Sequence, residues 1–552
     1  DLTGAAATDD DCDDTNLDIR PGADEICDEI DNDCDGQIDD DDPDIDPFTQ
    51  IVMYVDLDGD RWGSDEQLGR RCSTSTDGAP ARGDCNDADP DIHPARTEHP
   101  GDGDENCDGE DDLHMVDASV SMWVGDDRYE AFGRTLASFD PDEDGIYDVL
   151  VSEYTYDDNV GAIRLIPGED WAVSGYDTGR IQTLTDAQKR WIGPEVNSYL
   201  GQVMAAGTVE GDTVALISAT RITQNTGRVY LIDWDAEGGD IDEQARAWWD
   251  YDTANSYFGE SLAIIEGHMF TGTSQHSDTY TIGGVVFVLD PDATGAQDPT
   301  NLPHMVGQKS YDRVGDIVAN AGDLDGDGNV EVAVSARGHD TGVNNPGAVF
   351  LMPPEELGTT ITTTADVSMM IVGAARDNQI GDAIAGLGDV DGDGYDDLVI
   401  GARDMDPINN NEGAAFVVLG RGDWSTPVSC ADAHWQINGV GANDRLSETL
   451  LAPGDMDGDG GADVLLAADD NDLNGSNSGT VYLISSSLAE GTYAADEAAS
   501  VLIVGEGNND RLGRGMALAG DLNDDGMNDV WIGATGGRRD YGAVYAVFGD
   551  AL

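Results

Sequence analysis

Short apolar stretches alternate with polar turns along most of the chain, and the alternation itself repeats. A typical repeat contains an apolar lead-in, an acidic loop, an apolar run such as DLVIGAR, a polar turn, a second run such as GAAFVVLG and a further stretch such as VSMMIVG. Apolar runs of this length, bounded by turn residues, are typical of buried strands. The pattern therefore predicts four short strands per repeat.

The repeats follow one another at regular intervals. A small residue in the lead-in marks seven copies, and the last three intervals are 66 residues each: Gly133, Gly201, Gly259, Gly315, Gly381, Ser447 and Gly513. Seven units of four strands predict an all-β fold, a seven-bladed β-propeller with four-stranded blades over residues 114–552, because radial repetition leaves only short sheet edges. An open solenoid is the structural alternative.

The two ends of the repeat region are complementary. The seventh unit reaches Leu552 after its third predicted strand, whereas the segment ASVSMWVG at residues 118–125 matches the fourth strands of the other units. We therefore expect residues 120–124 to supply the outer strand of the last blade and close the ring, which leaves no exposed edge there.

Five units carry a nine-residue acidic loop with oxygen-bearing side chains at positions 1, 3, 5 and 9 and Gly at position 6. Calcium takes six to eight oxygen ligands, and this alternation, with the carbonyl of position 7, gathers ligands from one tight loop around a single ion. The predicted ligands are Asp140, Asp142, Asp144, Ile146 and Asp148; Asp323, Asp325, Asp327, Asn329 and Glu331; Asp389, Asp391, Asp393, Tyr395 and Asp397; Asp455, Asp457, Asp459, Gly461 and Asp463; and Asp521, Asn523, Asp525, Met527 and Asp529.

The second and third units lack this loop, so five blades are expected to bind calcium and two are not. An EF-hand loop begins in a similar way but leads into a helix, whereas strand sequences such as LVIGAR follow here. Magnesium is disfavoured, because a loop that supplies so many protein oxygens suits the larger and more flexible cation. Solvated Asp-Gly turns without a metal are the remaining alternative.

The lead-ins with Phe132-Gly133 and Phe258-Gly259, the acidic loops and the strands that follow them resemble the FG-GAP repeats of integrin alpha subunits and related bacterial surface proteins. The resemblance covers most of residues 114–552. It implies a seven-bladed propeller with calcium at the blade rims, used for adhesion or partner binding. The chain departs from the family at Ser447 and in the two blades without ligands, and it shows no inserted ligand-binding domain.

Residues 1–113 differ in kind, and we expect them to form a small irregular domain held by calcium and disulfides. The segment at residues 11–39 recurs in altered form at residues 84–112. Candidate ligands are Asp31, Asp33, Asp35, Gln37 through its carbonyl, and Asp39; Asp56, Asp58 and Asp60; and Asp104, Asn106, Asp108, Glu110 through its carbonyl, and Asp112. The region resembles thrombospondin type 3 calcium repeats and, more closely, a metal-binding motif shared with a copper-binding surface protein of methane-oxidising bacteria.

The cysteines of this region predict a disulfide framework. One pair is spaced by 22 residues in both copies, which favours two disulfides, Cys12 to Cys34 and Cys85 to Cys107. The two cysteines left over could bridge the copies, and Cys430 remains alone: Cys27 and Cys72. Zinc ligation is the rival interpretation, although no paired CxxC motif occurs and the surrounding carboxylates favour hard cations. Disulfides indicate an oxidising, extracytoplasmic location.

Composition excludes several classes of function. The chain has 113 acidic and 26 basic side chains, a formal net charge of −87, which argues against nucleic acid or an anionic membrane as partner. No apolar run approaches the roughly 18 residues of a membrane helix.

No GxSxG, HExxH, P-loop or dinucleotide motif occurs, so we expect no enzyme. Trp191, Trp248 and Trp249 are expected to pack within blades rather than to bind sugar.

The sequence thus predicts a secreted or cell-surface calcium-binding propeller, from a bacterium, that acts as an adhesion, binding or extracellular assembly module. It would bind about five calcium ions in the propeller and about three in the N-terminal region. Its partner would be an extracellular protein or glycan, or further copies of the chain. The alternatives are a metal-sequestering surface protein that binds copper through His93 and His99, and an extracellular hydrolase.

Overall fold

The computed structural model separates the chain into two compact units, residues 1–112 and 113–552. It describes residues 12, 19–23, 25–28, 30–42, 45, 50–58, 61–64, 67–72, 78–82, 84–86, 88, 92, 113–114, 119–126, 130–141, 144–168, 180–183, 189–276, 281–340, 345–375, 378–407, 410–523, 525–537 and 541–549.

The second unit is an all-β propeller of seven blades, as the sequence predicts. Each blade has four antiparallel strands, which are, from first to fourth: in blade 1 Phe132–Phe139, Asp148–Glu153, Ala162–Ile166 and Arg190–Ile192; in blade 2 Met204–Val209, Asp212–Ala219, Arg228–Asp233 and Ala247–Asp250; in blade 3 Ser261–Ile265, His268–Thr273, Val285–Leu289 and His304–Val306; in blade 4 Val314–Gly322, Glu331–Ala336, Ala348–Met352 and Met369–Val372; in blade 5 Ile384–Gly388, Asp397–Ala402, Ala414–Val418 and Trp435–Asn438; in blade 6 Thr449–Gly454, Asp463–Ala468, Thr480–Ile484 and Val501–Val504; and in blade 7 Leu512–Gly520, Asp529–Ala534, Ala543–Val547 and Ser119–Val124. The first strands of neighbouring blades contact one another around the ring.

The ring closes through the strand Ser119–Val124. It pairs antiparallel with Ala543–Val547, with Val124 opposite Ala543 and Trp123 opposite Val544. This is the pairing expected from the matching apolar segment at residues 118–125. The last blade therefore joins two segments that are more than 400 residues apart in sequence, and separating them would expose the edge of a sheet.

Six blades have a fifth strand that the four-strand pattern does not predict. The fifth strand of each of these blades comes from the segment that leads into the fourth strand of the following blade. It pairs in parallel with the fourth, outer strand of the blade that it completes. These strands are Arg180–Thr183, Gly239–Asp240, Gly295–Gln297, Val428–Ser429, Gly491–Ala494 and Leu113–His114. At blade 3 a single parallel bridge from Val306 to Thr363 takes this place. Each blade therefore covers the outer edge of its neighbour.

The core lies between the faces of adjacent blades. The second and third strands are apolar and almost fully buried, as in Asp397–Ala402 and Ala414–Val418. Trp191 is 2% exposed and Trp249 is 0% exposed, as expected for packing within blades. Trp248 is half-buried, and the guanidinium of Arg228 lies 5.8 Å from its ring.

Helical structure is minor among the described residues. Four helical segments of four residues each lie in connections of the propeller: Tyr156–Asn159, Ile222–Asn225, Ile241–Gln244 and Ala495–Ala498. Three-residue 3₁₀ turns occur at Asp39–Asp41, Pro299–Asn301 and Cys430–Asp432. No helix in the described part of the chain has the length and apolar character to cross a membrane.

The first unit contains two small sheets. Ile51–Tyr54 pairs antiparallel with Gln67–Arg71, and Trp62–Gly63 pairs parallel with Ala81–Arg82. Disulfides join Cys12 to Cys34 and Cys27 to Cys72. The first predicted pair and the pairing of the two remaining cysteines are confirmed, but Cys72 lies between the two copies, so the second disulfide does not bridge them. Cys85 is also disulfide-bonded, and its predicted partner Cys107 lies outside the described residues. Cys430 is a free, buried thiol in the propeller.

Candidate metal centres

Six loops share one backbone arrangement: the five predicted in the propeller and the one that begins at Asp31. In each, the backbone N–H of the sixth residue donates to the carboxylate of the first residue, over 2.9 to 3.1 Å. The sixth residue is always Gly, and its φ lies between 91° and 95° in all six loops. Only glycine adopts this left-handed conformation at little cost, which explains why the position is constant.

The fifth residue is held in the same way. Its carboxylate accepts the backbone N–H of the seventh residue in all six loops, over 2.7 to 3.0 Å. Hydrogen bonds therefore orient the side chains at positions 1 and 5 without any metal. Such preorganisation of oxygen atoms is what a site for a hard divalent cation requires.

The ninth residue closes the site from the start of the second strand. In blades 4 to 7 its carboxylate accepts the N–H of the loop's second residue, over 2.7 to 2.9 Å. In blades 1, 5, 6 and 7 the other carboxylate oxygen accepts an N–H two residues beyond the end of the third strand. The ninth side chain is thus buried in blades 4 to 7, whereas Asp148 of blade 1 is half-buried.

Carboxylate oxygens converge in these loops. One oxygen from each of Asp323, Asp325 and Glu331 lies within 4.8 Å of the others. The same holds for Asp389, Asp391 and Asp397 in blade 5. A cation with ligands at about 2.3 to 2.6 Å fits between oxygens with this separation, so the residues present fit a divalent ion.

Burial makes the ninth carboxylate of these loops costly to ionise. Burial, reinforced by the neighbouring loop carboxylates, raises the pKa of Asp397 and Asp463 to about 6 and that of Glu331 and Asp529 to about 7. A buried carboxylate beside other carboxylates is costly to ionise. A bound divalent cation would remove this cost.

Blade 1 closes its loop by a different contact. Its second loop residue is Pro141, which has no backbone N–H to donate. The indole Nε1 of Trp234, from blade 2, donates instead to Oδ2 of Asp148 over 3.1 Å. Asp140, Asp144 and Ile146 have the common geometry, and the predicted ligand Asp142 lies outside the described residues.

Blades 2 and 3 connect their first two strands by two-residue turns, Glu210-Gly211 and Glu266-Gly267. All four of these residues have positive φ, as expected for tight hairpin turns. Val209 pairs with Asp212 in one hairpin and Ile265 with His268 in the other. These turns contain no nine-residue loop, in agreement with the sequence pattern.

The N-terminal loop at Asp31 is completed by Glu25. The N–H of the second loop residue, Asn32, donates to Oε2 of Glu25 over 2.8 Å, the contact that the ninth residue makes in the propeller. The carboxylate of the predicted ligand Asp39 instead accepts the N–H of Asp28 over 3.0 Å. Oxygens of Glu25, Asp33 and Asp42 lie within 4.8 Å of one another, as do those of Asp31, Asp33 and Asp35.

Sequence reasoning missed Glu25, although a signal was present. Glu25 recurs as Glu98 at the matching position of the second copy of the motif. Cys34, the fourth residue of this loop, is bonded to Cys12, so a disulfide anchors the loop at its centre. Trp234 was also missed, because nothing in the sequence links it to a loop 86 residues earlier.

The loop at Asp56 has part of the same arrangement. The N–H of its sixth residue, Arg61, donates to Oδ2 of Asp56 over 3.3 Å, and Arg61 has a φ of 80°. Asp58 lies within this loop, and Asp60 is outside the described residues. Also outside them are all five predicted ligands of the second copy and both candidate copper ligands: Asp104, Asn106, Asp108, Glu110, Asp112, His93 and His99.

Comparison with known proteins supports both parts of this description. A family model named Cu-binding_MopE and described as "Putative metal-binding motif" matches residues 11–40 and 84–112. These are the two copies of the N-terminal motif, so the predicted resemblance is confirmed. The match covers only this region, which contains the loop at Asp31 and its partner Glu25.

The propeller is similar to integrin alpha subunits. The chain is 27% identical to integrin alpha-PS2 of Drosophila melanogaster over 221 residues, which are 38% of this chain and 16% of the relative. It is 28% identical to integrin alpha-4 of Xenopus laevis over 215 residues, 37% of this chain and 20% of the relative. The matched stretch is thus at most a fifth of the length of these relatives.

Among solved structures, the Dos1 propeller aligns with 73% of this chain and with 81% of its own length. The TM-score is 0.40 and the sequence identity is 10%. A likeness at this level supports no conclusion about function.

Proposed function

We propose that this chain is a calcium-stabilised extracellular binding module. The observation that carries the proposal is the common loop geometry: in six loops a glycine with a φ of 91° to 95° donates its N–H to the carboxylate of the first loop residue. In blades 4 and 5 and in the loop at Asp31, three carboxylate oxygens lie within 4.8 Å of one another. Five of the six loops recur around the propeller ring. The metal would fix the turn between the first two strands of each loaded blade.

Calcium is the cation that this donor set favours. Each loop offers carboxylate or amide side chains and a backbone carbonyl, all of them oxygen ligands, from a single stretch of nine residues. Magnesium prefers fewer protein ligands and keeps several waters, and zinc prefers nitrogen and sulfur. The cysteines at Cys12, Cys34, Cys27 and Cys72 are committed to disulfides, which removes them as thiolate ligands.

The disulfides and the similarity to integrin alpha subunits support a secreted or cell-surface location. We infer a partner outside the cell, a protein or a glycan, and a role in adhesion, binding or assembly without catalysis. A net charge of −87 keeps the molecule apart from nucleic acid and anionic membranes. The metal sites would hold the scaffold rigid, and recognition would use the loops between them.

Metal analysis tests the proposal directly. The protein, stripped with chelator and dialysed against Ca²⁺, should bind about five ions in the propeller and about three in the N-terminal unit. The double variant Asp389→Ala/Asp391→Ala should bind one ion fewer. The matched control Glu266→Gln changes a carboxylate at the corresponding turn of blade 3, which has no loop, and should leave the count unchanged. A protein that binds no calcium at millimolar concentration would refute the proposal.

A second candidate is a metal-sequestering surface protein, and the family-model match at residues 11–40 and 84–112 favours it. In that case the N-terminal unit, rather than the propeller, would be the functional part. Copper titration followed by spectroscopy distinguishes the two. Tight copper binding that is lost in His93→Ala/His99→Ala would support sequestration, and its absence would leave the calcium module as the function.

A further inference from the structure

Blade 2 has a cavity of about 470 Å³ at its rim, beside the turn that replaces the acidic loop. The short turn Glu210-Gly211 leaves open the space that a nine-residue loop fills in five other blades. Its lining includes Asp212, Asp233, Trp234, Asp235 and Arg246 of blade 2, together with Pro141 of blade 1. The cavity is therefore bounded on one side by the acidic loop of the neighbouring blade.

The charge of this cavity is unbalanced. Among the described lining residues the one cation is Arg246, and it is already committed: its Nη2 lies 2.9 Å from Oδ2 of Asp212 and also contacts Asp233. Asp235 is an exposed third carboxylate on the same lining. One guanidinium against three carboxylates leaves a net negative charge, which favours a cationic ligand.

The burial of Trp234 argues against a sugar as the ligand of this cavity. Trp234 is only 9% exposed, because its ring packs edge-on against Phe139 at 6.4 Å and its Nε1 is bonded to Asp148. A ring so deeply buried has no broad free face on which a pyranose could stack. It can still form an apolar wall for the alkyl part of an extended side chain.

The same tryptophan connects the cavity to a metal loop. Its Nε1 donates to Asp148, the ninth residue of the loop in blade 1, and Pro141 is the second residue of that loop. Any ion bound in blade 1 therefore fixes a wall of the cavity as well. A ligand in this cavity of blade 2 would therefore lie beside a loop of blade 1 that a bound ion could hold in place.

We propose that this cavity binds a lysine or arginine side chain presented by a protein partner. The proposal rests on the proposed extracellular binding function and names the chemistry of one contact that the partner makes. The ammonium or guanidinium group would lie among the carboxylates of Asp212 and Asp235, and the alkyl chain would lie along Trp234. The volume suits one extended side chain with its flanking peptide.

The test uses the full chain labelled with 5-fluorotryptophan, in saturating Ca²⁺ and 150 mM salt, with the Trp234 resonance assigned from Trp234→Phe. N-acetyl-lysine methylamide and its arginine counterpart should move this resonance in a saturable way, while the isosteric norleucine compound should not. Asp235→Asn should weaken binding about two- to fivefold, the range for one exposed charge pair.

A matched control is available in blade 3. Asp292 follows the third strand of blade 3, three residues beyond its end at Leu289, as Asp235 lies two residues beyond the end of the third strand of blade 2, and it is also exposed. Asp292→Asn should leave binding unchanged. The proposal is overturned if the norleucine compound binds equally well, if a panel of methyl glycosides moves the resonance instead, or if Asp292→Asn and Asp235→Asn have the same effect.

The calcium proposal and the cavity proposal can be refuted independently of each other. Bound calcium is counted on the same sample by metal analysis. If calcium binds as expected and the Trp234 resonance does not respond to the lysine compound, the cavity proposal alone is wrong. If no calcium binds and the resonance still responds, the calcium module is wrong and the cavity site stands.

Discussion

The side-chain amide of Asn411 donates to the side-chain oxygen of Asn443 over 3.2 Å. Asn411 lies in the turn between the second and third strands of blade 5, and Asn443 lies in the loop that leads into blade 6. Both residues have positive φ, 50° and 70°. Asparagine tolerates this conformation better than other residues with a side chain, so one residue type supplies both the turn and the link between blades.

The same link occurs between other blades. The pairs Asn159 with Asn197, Asn225 with Asn255 and Asn477 with Asn509 have the same arrangement, with distances of 3.1 to 3.4 Å, and all six residues have positive φ. These loops are at the opposite ends of the strands from the acidic loops. The propeller is therefore tied on one face by asparagine pairs, while oxygen-rich loops form the other.

Replacing Asn411 by Ala should destabilise the propeller by about 1 to 2 kcal/mol, because alanine loses the hydrogen bond and fits the positive φ poorly. Asn411→Gly loses the same bond but relieves the backbone, so it should cost less. Urea unfolding of both variants in Ca²⁺ measures the difference. A double-mutant cycle with Asn443→Ala isolates the pair, and a coupling energy near zero would show that the link contributes nothing.

The metal-free protein should lose stability as the pH rises from about 4 to 7. Burial raises the pKa of Asp397 to about 6 and that of Asp529 to about 7. The folded state therefore holds protons that the unfolded state has already released, and the free energy of unfolding falls until the pH passes these folded-state pKa values. Thermal unfolding in chelator, followed across this pH range, should show a falling Tm.

Saturating Ca²⁺ should abolish this trend. The cation stabilises the ionised carboxylates and binds only when they are deprotonated, so it raises Tm most at neutral pH. The experiment thus compares two pH profiles of one protein, and Mg²⁺ at equal concentration serves as the control cation. Superimposable profiles with Ca²⁺ and with chelator would contradict the assignment of these loops as calcium sites.

Chelation should open the N-terminal unit before the propeller. Among the described residues of this unit, the buried apolar side chains are few: Ile19, Met53, Cys72 and Ala79. Buried polar groups such as Glu25 and Asn32 are as numerous, so we expect disulfides and bound metal to supply the stability that a small apolar core cannot. Limited proteolysis with and without chelator should cut residues 1–112 first in chelator. Equal resistance in both conditions would exclude a structural metal there.

How far the sequence predicts this molecule depends on the length of the pattern. The acidic loops recur over nine residues and the lead-ins at similar intervals, so the blades, the geometry shared by the acidic loops and the closing strand could all be inferred. The fifth strands are as short as Gly239–Asp240, and two residues contain no detectable periodicity. Glu25 lies outside the nine-residue pattern of its loop, and Trp234 approaches Asp148 only because blades 1 and 2 pack together. The Trp234 contact follows from the packing of blades in the closed ring, and the Glu25 contact follows from the fold of the N-terminal unit, rather than from the nine-residue pattern.

Ser447 occupies a position that is glycine in the other six lead-ins, and it keeps their conformation with a φ of 69°. It is 0% exposed, and its Oγ donates to the carbonyl of Ala414 over 2.6 Å and accepts the N–H of Ala402 over 3.2 Å. These hydrogen bonds offset a backbone strain of about 1 kcal/mol. Ser447→Gly removes these hydrogen bonds and also relieves the backbone strain, so it should change the free energy of unfolding by less than about 1 kcal/mol.

Ser447→Ala should be worse, because it keeps the strained backbone and loses both hydrogen bonds, at a cost of about 2 kcal/mol. The matched control is Gly381→Ala in blade 5, where φ is 101° and an added Cβ would lie 2.7 Å from Cβ of Ser335. This variant should be destabilised at least as much as Ser447→Ala, since it introduces both a strained positive φ and the overlap with Ser335. Urea unfolding in Ca²⁺ ranks the three variants, and an alanine at position 447 as stable as serine would show that these hydrogen bonds do not offset the strain.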